Sequence, residues 1–424
     1  MMALQDSSSA PASIPLSERV FSQRDHAALW FSLGVGLLVM QIGAFLASAL
    51  GTQTALLAIV LGSALGAALL AWVASIGCER GVASPMLMSQ TLGSGFARLP
   101  VVLNVVQLIG WAAFELVVMR DGTTALIKAT SGIDAAWLPY ACALFWGALL
   151  IALATGSMIR LVRRFVGRFG LPLVILSLLW LSGQFLAQAQ IQGLQNVWNR
   201  AGDGSMSTLA GIDLVMAMPV SWLPLVADYA RYGKRSGEAF RGTWIGFAVA
   251  NVWCHALGAL IVATTTPDAD LMNLMLLAQG GLLALGLILI DEMDNAYGDV
   301  YSGSVSLNFL NARHSTRGWG IALAVLATAC ALVLPMHGLE PFLLILSSVF
   351  VPLFGVVISQ LAAGGQPADR PVHPIPVLIW LIGIAVFHLC PALLPQIGSA
   401  LPSLGVTLLL GALYRRSRAA LSAA

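Results

Sequence analysis

Apolar residues fall into long blocks along this chain, each closed by a short polar or arginine-bearing joint. Blocks long enough for a membrane helix of ~20 residues lie at about 27–50, 54–76, 99–120, 137–158, 171–189, 209–228, 243–265, 276–300, 319–337, 340–361, 374–392 and 396–414. The eighth block carries Asp291, Glu292, Asp294 and Asp299. It is kept as a span because eleven spans would break the charge pattern described next. The pattern predicts an all-α polytopic membrane protein with twelve transmembrane helices. Residues 1–25 are polar and rich in Ser and Pro, and read as an N-terminal tail; residues 415–424 form a C-terminal one.

Twelve spans put both termini on one side. With that side cytoplasmic, the outer segments hold only Arg120, Lys128 and Arg200, and the other 18 of the 21 basic residues lie inside. The positive-inside rule then fixes the orientation and supports the span count. Trp30, Trp137, Trp198, Trp244, Trp319 and Trp380 fall near span ends, where an interfacial aromatic belt is expected.

Composition agrees with this reading. Hydrophobic residues make up 58% of the 424 and charged ones 9%, against about 25% charged in soluble domains. Mean hydropathy is +0.86. These values exclude a soluble globular enzyme and a disordered chain. A net charge of +2, scattered over short loops, gives no reason to expect nucleic acid. Cysteines 78, 142, 254, 330 and 390 form no CxxC or Cys/His pair, hence neither a disulfide framework nor a zinc site. The six histidines share no ligand spacing, and no phosphate loop, nucleophile elbow or HExxH motif occurs. No enzyme activity, cofactor or obligatory protein partner is expected; the partners are the lipid bilayer and a small molecule.

The order of spans suggests an internal repeat. Five spans repeated in tandem are inverted, and five plus five plus two fits the count. The expected units are residues 26–190 (spans 1–5), 209–361 (spans 6–10) and 374–414 (spans 11–12). In such repeats, sites form where the first helix of each half is broken. Span 1 has Gly34, Gly36 and Gly43 around Met40-Gln41-Ile42, and span 6 has Pro219 and Pro224 around Val220-Ser221-Trp222.

The third span of each half is also polar. Asn104, Gln107, Trp111 and Glu115 share an arc of about 80° on a helix, and the polar residues of span 8 spread over about 160°. An ionisable group near the bilayer centre costs at least about 2.5–3.5 kcal/mol. Glu115 and the span-8 acids are therefore expected to face water, an ion or a substrate. For Asn104 and Gln107 a purely structural contact is an equal alternative. Asp213 is expected to cap the start of span 6, and Asp228 and Arg231 could pair with each other.

Broken spans 1 and 6 in a five-plus-five arrangement resemble the LeuT-type fold. The local sequences resemble the nucleobase–cation symporter-1 family, which includes cytosine permease and the bacterial hydantoin transporter. The matching stretches are Trp111-Ala-Ala-Phe-Glu115, Asp228-Tyr-Ala-Arg231, Met40-Gln41 and Asp294-Asn295-Ala296 with Tyr297 or Tyr301. Across about residues 15–415 the chain looks most similar to the CytX branch, described as hydroxymethylpyrimidine transporters of thiamine-precursor salvage. Two departures stand out. The family's span-3 Gln is Glu115 here, and its span-6 aromatic contact falls on Pro219, with Trp222 almost a turn later.

The resemblance implies a carrier in a bacterial inner membrane. It imports a pyrimidine, foremost hydroxymethylpyrimidine, by alternating access coupled to Na+ or H+. A cytosine or purine-base permease is the alternative, and a membrane enzyme or a ligand sensor is the alternative of another class. The implied substrate contacts are Gln41, Trp111, Glu115, Pro219, Trp222, Asn295 and Asp299, with Trp111 giving a face for stacking and Glu115 an edge for hydrogen bonding. Either Asn295 or Asp299 can occupy the family's Asn position. The implied ion ligands are Leu37 and Met40 in span 1 with Asp294, or Asp291 or Glu292, in span 8. Carboxylates suit either Na+ or H+.

Overall fold

A computed structural model describes residues 13–156, 170–265, 274–276, 278–333, 339–362, 370–393 and 397–423. Each of the twelve apolar blocks meets a helix. The helices used below are α1 (Gln23–Ser32), α2 (Leu37–Leu50), α3 (Thr52–Arg80), α4 (Ser84–Leu92), α5 (Arg98–Ser131), α6 (Leu138–Ala154), α7 (Leu171–Gln192) and α8 (Leu194–Trp198). They continue with α9 (Thr208–Ser221), α10 (Val226–Ala230), α11 (Ser236–Thr264), α12 (Gly281–Leu310), α13 (Thr316–Val333), α14 (Leu339–Leu361), α15 (Pro374–Leu393) and α16 (Ala400–Ala423).

By length and composition, seven of these helices can cross a membrane, or eight when α1 and α2 count as one bent span. Two apolar helices, α6 and α9, are shorter. The acids of α12 lower its apolarity, although at 30 residues it is long enough to cross.

The first break lies a turn earlier than the Met40-Gln41-Ile42 stretch. α1 and α2 meet at 64° across Leu33–Gly36, and Met40 and Gln41 lie inside α2. Close packing explains the glycine at 34: a Cβ there would sit 2.9 Å from the Ala250 Cβ of α11. Gly43 serves the same helix pair, since a Cβ there would collide with the backbone of His255. The second break is the turn at 222–225 between α9 and α10, with Pro219 still inside α9.

The packing order puts the polar helices at the centre. α11 lies against α1, α2 and α3, α9 lies against α3, and α12 lies against α5. Two of the expected belt tryptophans are instead core residues. Trp30 is fully buried, edge-on to Trp222 and Tyr229, and the Trp380 indole donates to the Val349 carbonyl at 2.9 Å. Trp137, Trp198 and Trp244 are exposed.

Asp213 caps a helix other than its own. The start of α9 is capped by Ser207, which accepts from the Ala210 amide at 3.2 Å. The Asp213 carboxylate instead accepts from the backbone amides of Ser399, Ala400 and Leu401 at the start of α16. Those amides are the orphan donors of a helix N-terminus. Asp213→Ala leaves them unsatisfied and should cost about 1–3 kcal/mol. Thermal unfolding of the purified variant checks this; an unchanged midpoint would mean that water replaces the carboxylate.

Candidate functional site

The two breaks, α5 and α12 line one tight pocket with about 20 Å3 of free volume. Trp111 and Glu115 reach it from α5, Trp222 from the second break, and Glu292, Asn295 and Asp299 from α12. Leu33, Val35 and Gly36 of the first break complete its wall. Five of the seven expected substrate contacts therefore line one space. Both candidates for the family's Asn position, Asn295 and Asp299, are among them.

Gln41 and Pro219 are not lining residues. Gln41 is half-buried, just beyond the lining residues Leu38 and Val39. Pro219 turns toward α3, where its ring lies against Gly66 so tightly that a Cβ at 66 would overlap it. Trp222, three residues on, is the aromatic side chain that reaches the cavity.

α12 presents two acidic faces, because adjacent residues on a helix point about 100° apart. Glu292, Asn295 and Asp299 follow a three-then-four spacing and form the cavity face. Asp291 and Asp294 form the other face and meet α1. There Ser32 Oγ donates to Asp291 Oδ1 at 2.8 Å and lies 3.3 Å from Asp294 Oδ2. Asp291 Oδ2 is buried without a hydrogen-bond partner.

The broken helix explains which acid goes where. The C-terminal end of α1 carries partial negative charge, and the N-terminal end of α2 carries partial positive charge. Glu292 sits at the positive end: its Oε1 accepts from the Leu37 amide at 2.6 Å, and its Oε2 accepts from Asn295 Nδ2 at 3.2 Å. Gly36 allows this approach, since a Cβ there would lie 3.3 Å from Glu292 Oε1. Leu37 thus gives its amide N–H to a carboxylate. The Met40 carbonyl packs against Gly258 of α11, within collision distance of any Cβ at that position. Hydrogen bonds from α1 reach Asp291 and Asp294. Ser32, absent from the expected ligands, is the residue that meets both.

Hydroxyl and carboxylate oxygens make the α1–α12 contact suitable for a hard cation. Among the described residues no group of three or more His, Cys, Asp or Glu side chains forms a metal cluster. An ion here would use Ser32 and the two aspartates together with backbone oxygens.

The remaining polar residues brace the second break. Asn104 Nδ2 donates to the Pro224 carbonyl at 3.3 Å and to Ser306 Oγ at 3.1 Å, and Gln107 Nε2 donates to Asn104 Oδ1 at 2.7 Å. Asp228 and Arg231 form no carboxylate–guanidinium pair. Asp228 Oδ1 accepts from the Ser84 amide, Ser84 Oγ accepts from the Ala227 amide, and Arg231 donates to the Asp228 carbonyl and the Tyr301 hydroxyl. This locks α10 to α4 and α12.

Residues 13–366 match a family described as permease for cytosine/purines, uracil, thiamine, allantoin. The chain belongs to this family. It is a multi-pass membrane permease, not an enzyme. Among curated proteins, none matches the sequence. Solved structures share its fold. Mhp1, a nucleobase-cation-symport-1 family transporter closed around bromovinylhydantoin, matches at 18% identity and TM-score 0.79, over 97% of this chain and 96% of its own. The inward-facing form of Mhp1 matches at 17% identity and TM-score 0.77, over 97% and 94%. A Na+-coupled sialic acid symporter in a substrate-bound outward-open state matches at 11% identity and TM-score 0.64, over 94% and 90%. The permease is all-helical and has the LeuT-type fold of these structures.

Proposed function

We propose that this permease imports a pyrimidine, foremost hydroxymethylpyrimidine, by alternating access coupled to Na+ or H+. The observation that carries the reading is the cavity where both broken helices meet α5 and α12, with two indoles and three carboxyl groups in its wall. A flat heterocycle stacks on Trp111. Its ring nitrogen and amino group meet the Glu115 carboxyl, one helical turn away on the same face. Trp222 and Asp299 contact it from the other side, and Asn295 reads a further edge.

The coupling ion belongs on the opposite face of α12, held by Ser32, Asp291 and Asp294. When bound, it supplies positive charge that ties the negative end of α1 to α12. A proton on one of the aspartates can serve the same linkage. Ion and substrate then share one rigid helix, which gives a physical route for coupling their occupancies.

The twelve-span, five-plus-five arrangement is part of the proposal, with both termini cytoplasmic in a bacterial inner membrane. Reciprocal packing supports the repeat. The first broken element packs on α11, and the second on α3, as expected when each half lends its broken helix to the other.

The alternative, a cytosine or purine-base permease, is favoured by the family description itself. Competition separates the two. Cells expressing the permease take up labelled hydroxymethylpyrimidine, and excess hydroxymethylpyrimidine, thiamine, cytosine, adenine or a hydantoin is added. The proposal expects unlabelled hydroxymethylpyrimidine to compete best. Stronger competition by cytosine or adenine would replace it with the alternative.

A further inference from the structure

We infer that the central cavity takes its ligand as a cation. This rests on the heterocycle reading of the site and adds the charge of the bound species.

The cavity wall is one-sided in charge. Its ionisable residues are Glu115, Glu292 and Asp299, and none of its described lining residues is Lys, Arg or His. The bases nearest in the chain to lining residues are committed elsewhere: Arg120 to Asp121 and the Ala331 carbonyl, and Arg231 to Tyr301 and the Asp228 carbonyl. Buried carboxyl groups without a counter-charge are costly in a membrane interior.

Two acceptors in the wall are left without a donor. Glu115, 5% exposed, has an Oε2 that meets no amide or hydroxyl donor. Asn295 is 4% exposed and its Oδ1 is unpartnered. The orientation of that amide is fixed, because its Nδ2 donates to two acceptors, the Val35 carbonyl and Glu292 Oε2, both at 3.2 Å. The oxygen is therefore what remains for the ligand. Glu115 and Glu292 both line this space, and a positively charged N–H group would give their carboxyls a counter-charge.

The indoles add to this preference. The faces of Trp rings attract cations, and Trp111 and Trp222 line the same space as the carboxyls. Small inorganic cations have their own position on the other face of α12. What the cavity selects is a flat cation with N–H donors: an aminopyrimidinium, or another heterocycle carrying an amidinium edge. The exocyclic N–H groups of such a cation donate charge-assisted hydrogen bonds to a carboxylate.

Three probes of similar shape test the inference on the purified full-length permease at one fixed pH and salt. The first is hydroxymethylpyrimidine. The second is its pyrimidin-4-one counterpart, which stays neutral. The third is the N1-methylated aminopyrimidinium, which is permanently positive and keeps the amino edge. Binding is read by quenching of tryptophan fluorescence. The pyrimidinium should bind at least about tenfold more tightly than the pyrimidinone, as expected for a charge-assisted pair over a neutral one. Glu115→Gln and Asp299→Asn should each narrow that ratio, because loss of the charge weakens the pyrimidinium more than the pyrimidinone. A pyrimidinone that binds as tightly as the pyrimidinium overturns the inference and leaves the pyrimidine reading intact. If no pyrimidine binds, the pyrimidine reading falls. The same criterion then applies to a methylated adeninium against hypoxanthine: preference for the adeninium supports the inference, and equality overturns it.

Discussion

Trp111→Ala should reduce uptake to background while leaving the amount of permease in the membrane unchanged. Trp111 lies mid-way along α5 and is 6% exposed, with its remaining surface on the cavity. Stacking of a heterocycle on an aromatic side chain is worth about 1–3 kcal/mol per ring, equivalent to about 5- to 150-fold in affinity. Truncation also opens space above the ring, which lets the ligand shift away from Glu115. Trp111→Phe keeps a ring face and should lose much less. Initial-rate uptake normalised to membrane protein distinguishes the variants. Normal transport by the alanine variant would remove stacking at this position from the account.

Asp294→Asn and Asp299→Asn should fail in different ways. The two residues are five positions apart, ~7.5 Å along a helix, and they face different neighbours. Asp294 meets Ser32 of α1, whereas Asp299 lines the cavity. Asp294→Asn should weaken the dependence of substrate affinity on Na+, or on pH if protons drive transport, more than it alters ligand selectivity. Asp299→Asn should alter selectivity and retain the ion dependence. Linkage makes the effect reciprocal: an ion that tightens substrate binding must itself bind more tightly with substrate present, by the same factor. Ligand affinity measured against ion concentration for both variants reads this. Full ion dependence in Asp294→Asn with its loss in Asp299→Asn would reverse the assignment of the two faces of α12.

Much of the fold follows from patterns that are local in the chain. A block of about twenty apolar residues has few fates other than a membrane helix, so each apolar block meets a helix among the described residues. The breaks announce themselves through Gly34, Gly36 and Pro224, residues that relax or interrupt a helix. The cavity residues Trp111 and Glu115 stand out because a polar face in an apolar helix needs a reason.

What the chain conceals is tertiary. The stretch around Gln41 looked like the centre of the break because it is the polar spot in its span. The turn actually falls at Gly34–Gly36, where α11 approaches the backbone. Pro219 has the expected register for a cavity contact, yet it fills the notch left by Gly66. Ser32 carries no signal of its own, and its role depends on an aspartate pair some 260 positions away. Asp213 satisfies a helix end almost as distant, a partnership that no periodicity encodes. Glu292 was legible in part: its spacing to Asn295 and Asp299 puts the three on one face, but only the contact with the Leu37 amide says which face looks into the cavity.

The most direct test of the central claim is uptake by the purified permease in liposomes. Labelled hydroxymethylpyrimidine is supplied outside, and an inward Na+ or H+ gradient is imposed or withheld. Accumulation above the outside concentration under one of the gradients, abolished when that gradient is collapsed, is the predicted result. Mere equilibration of the substrate, the same with and without either gradient, would contradict an ion-coupled pyrimidine importer.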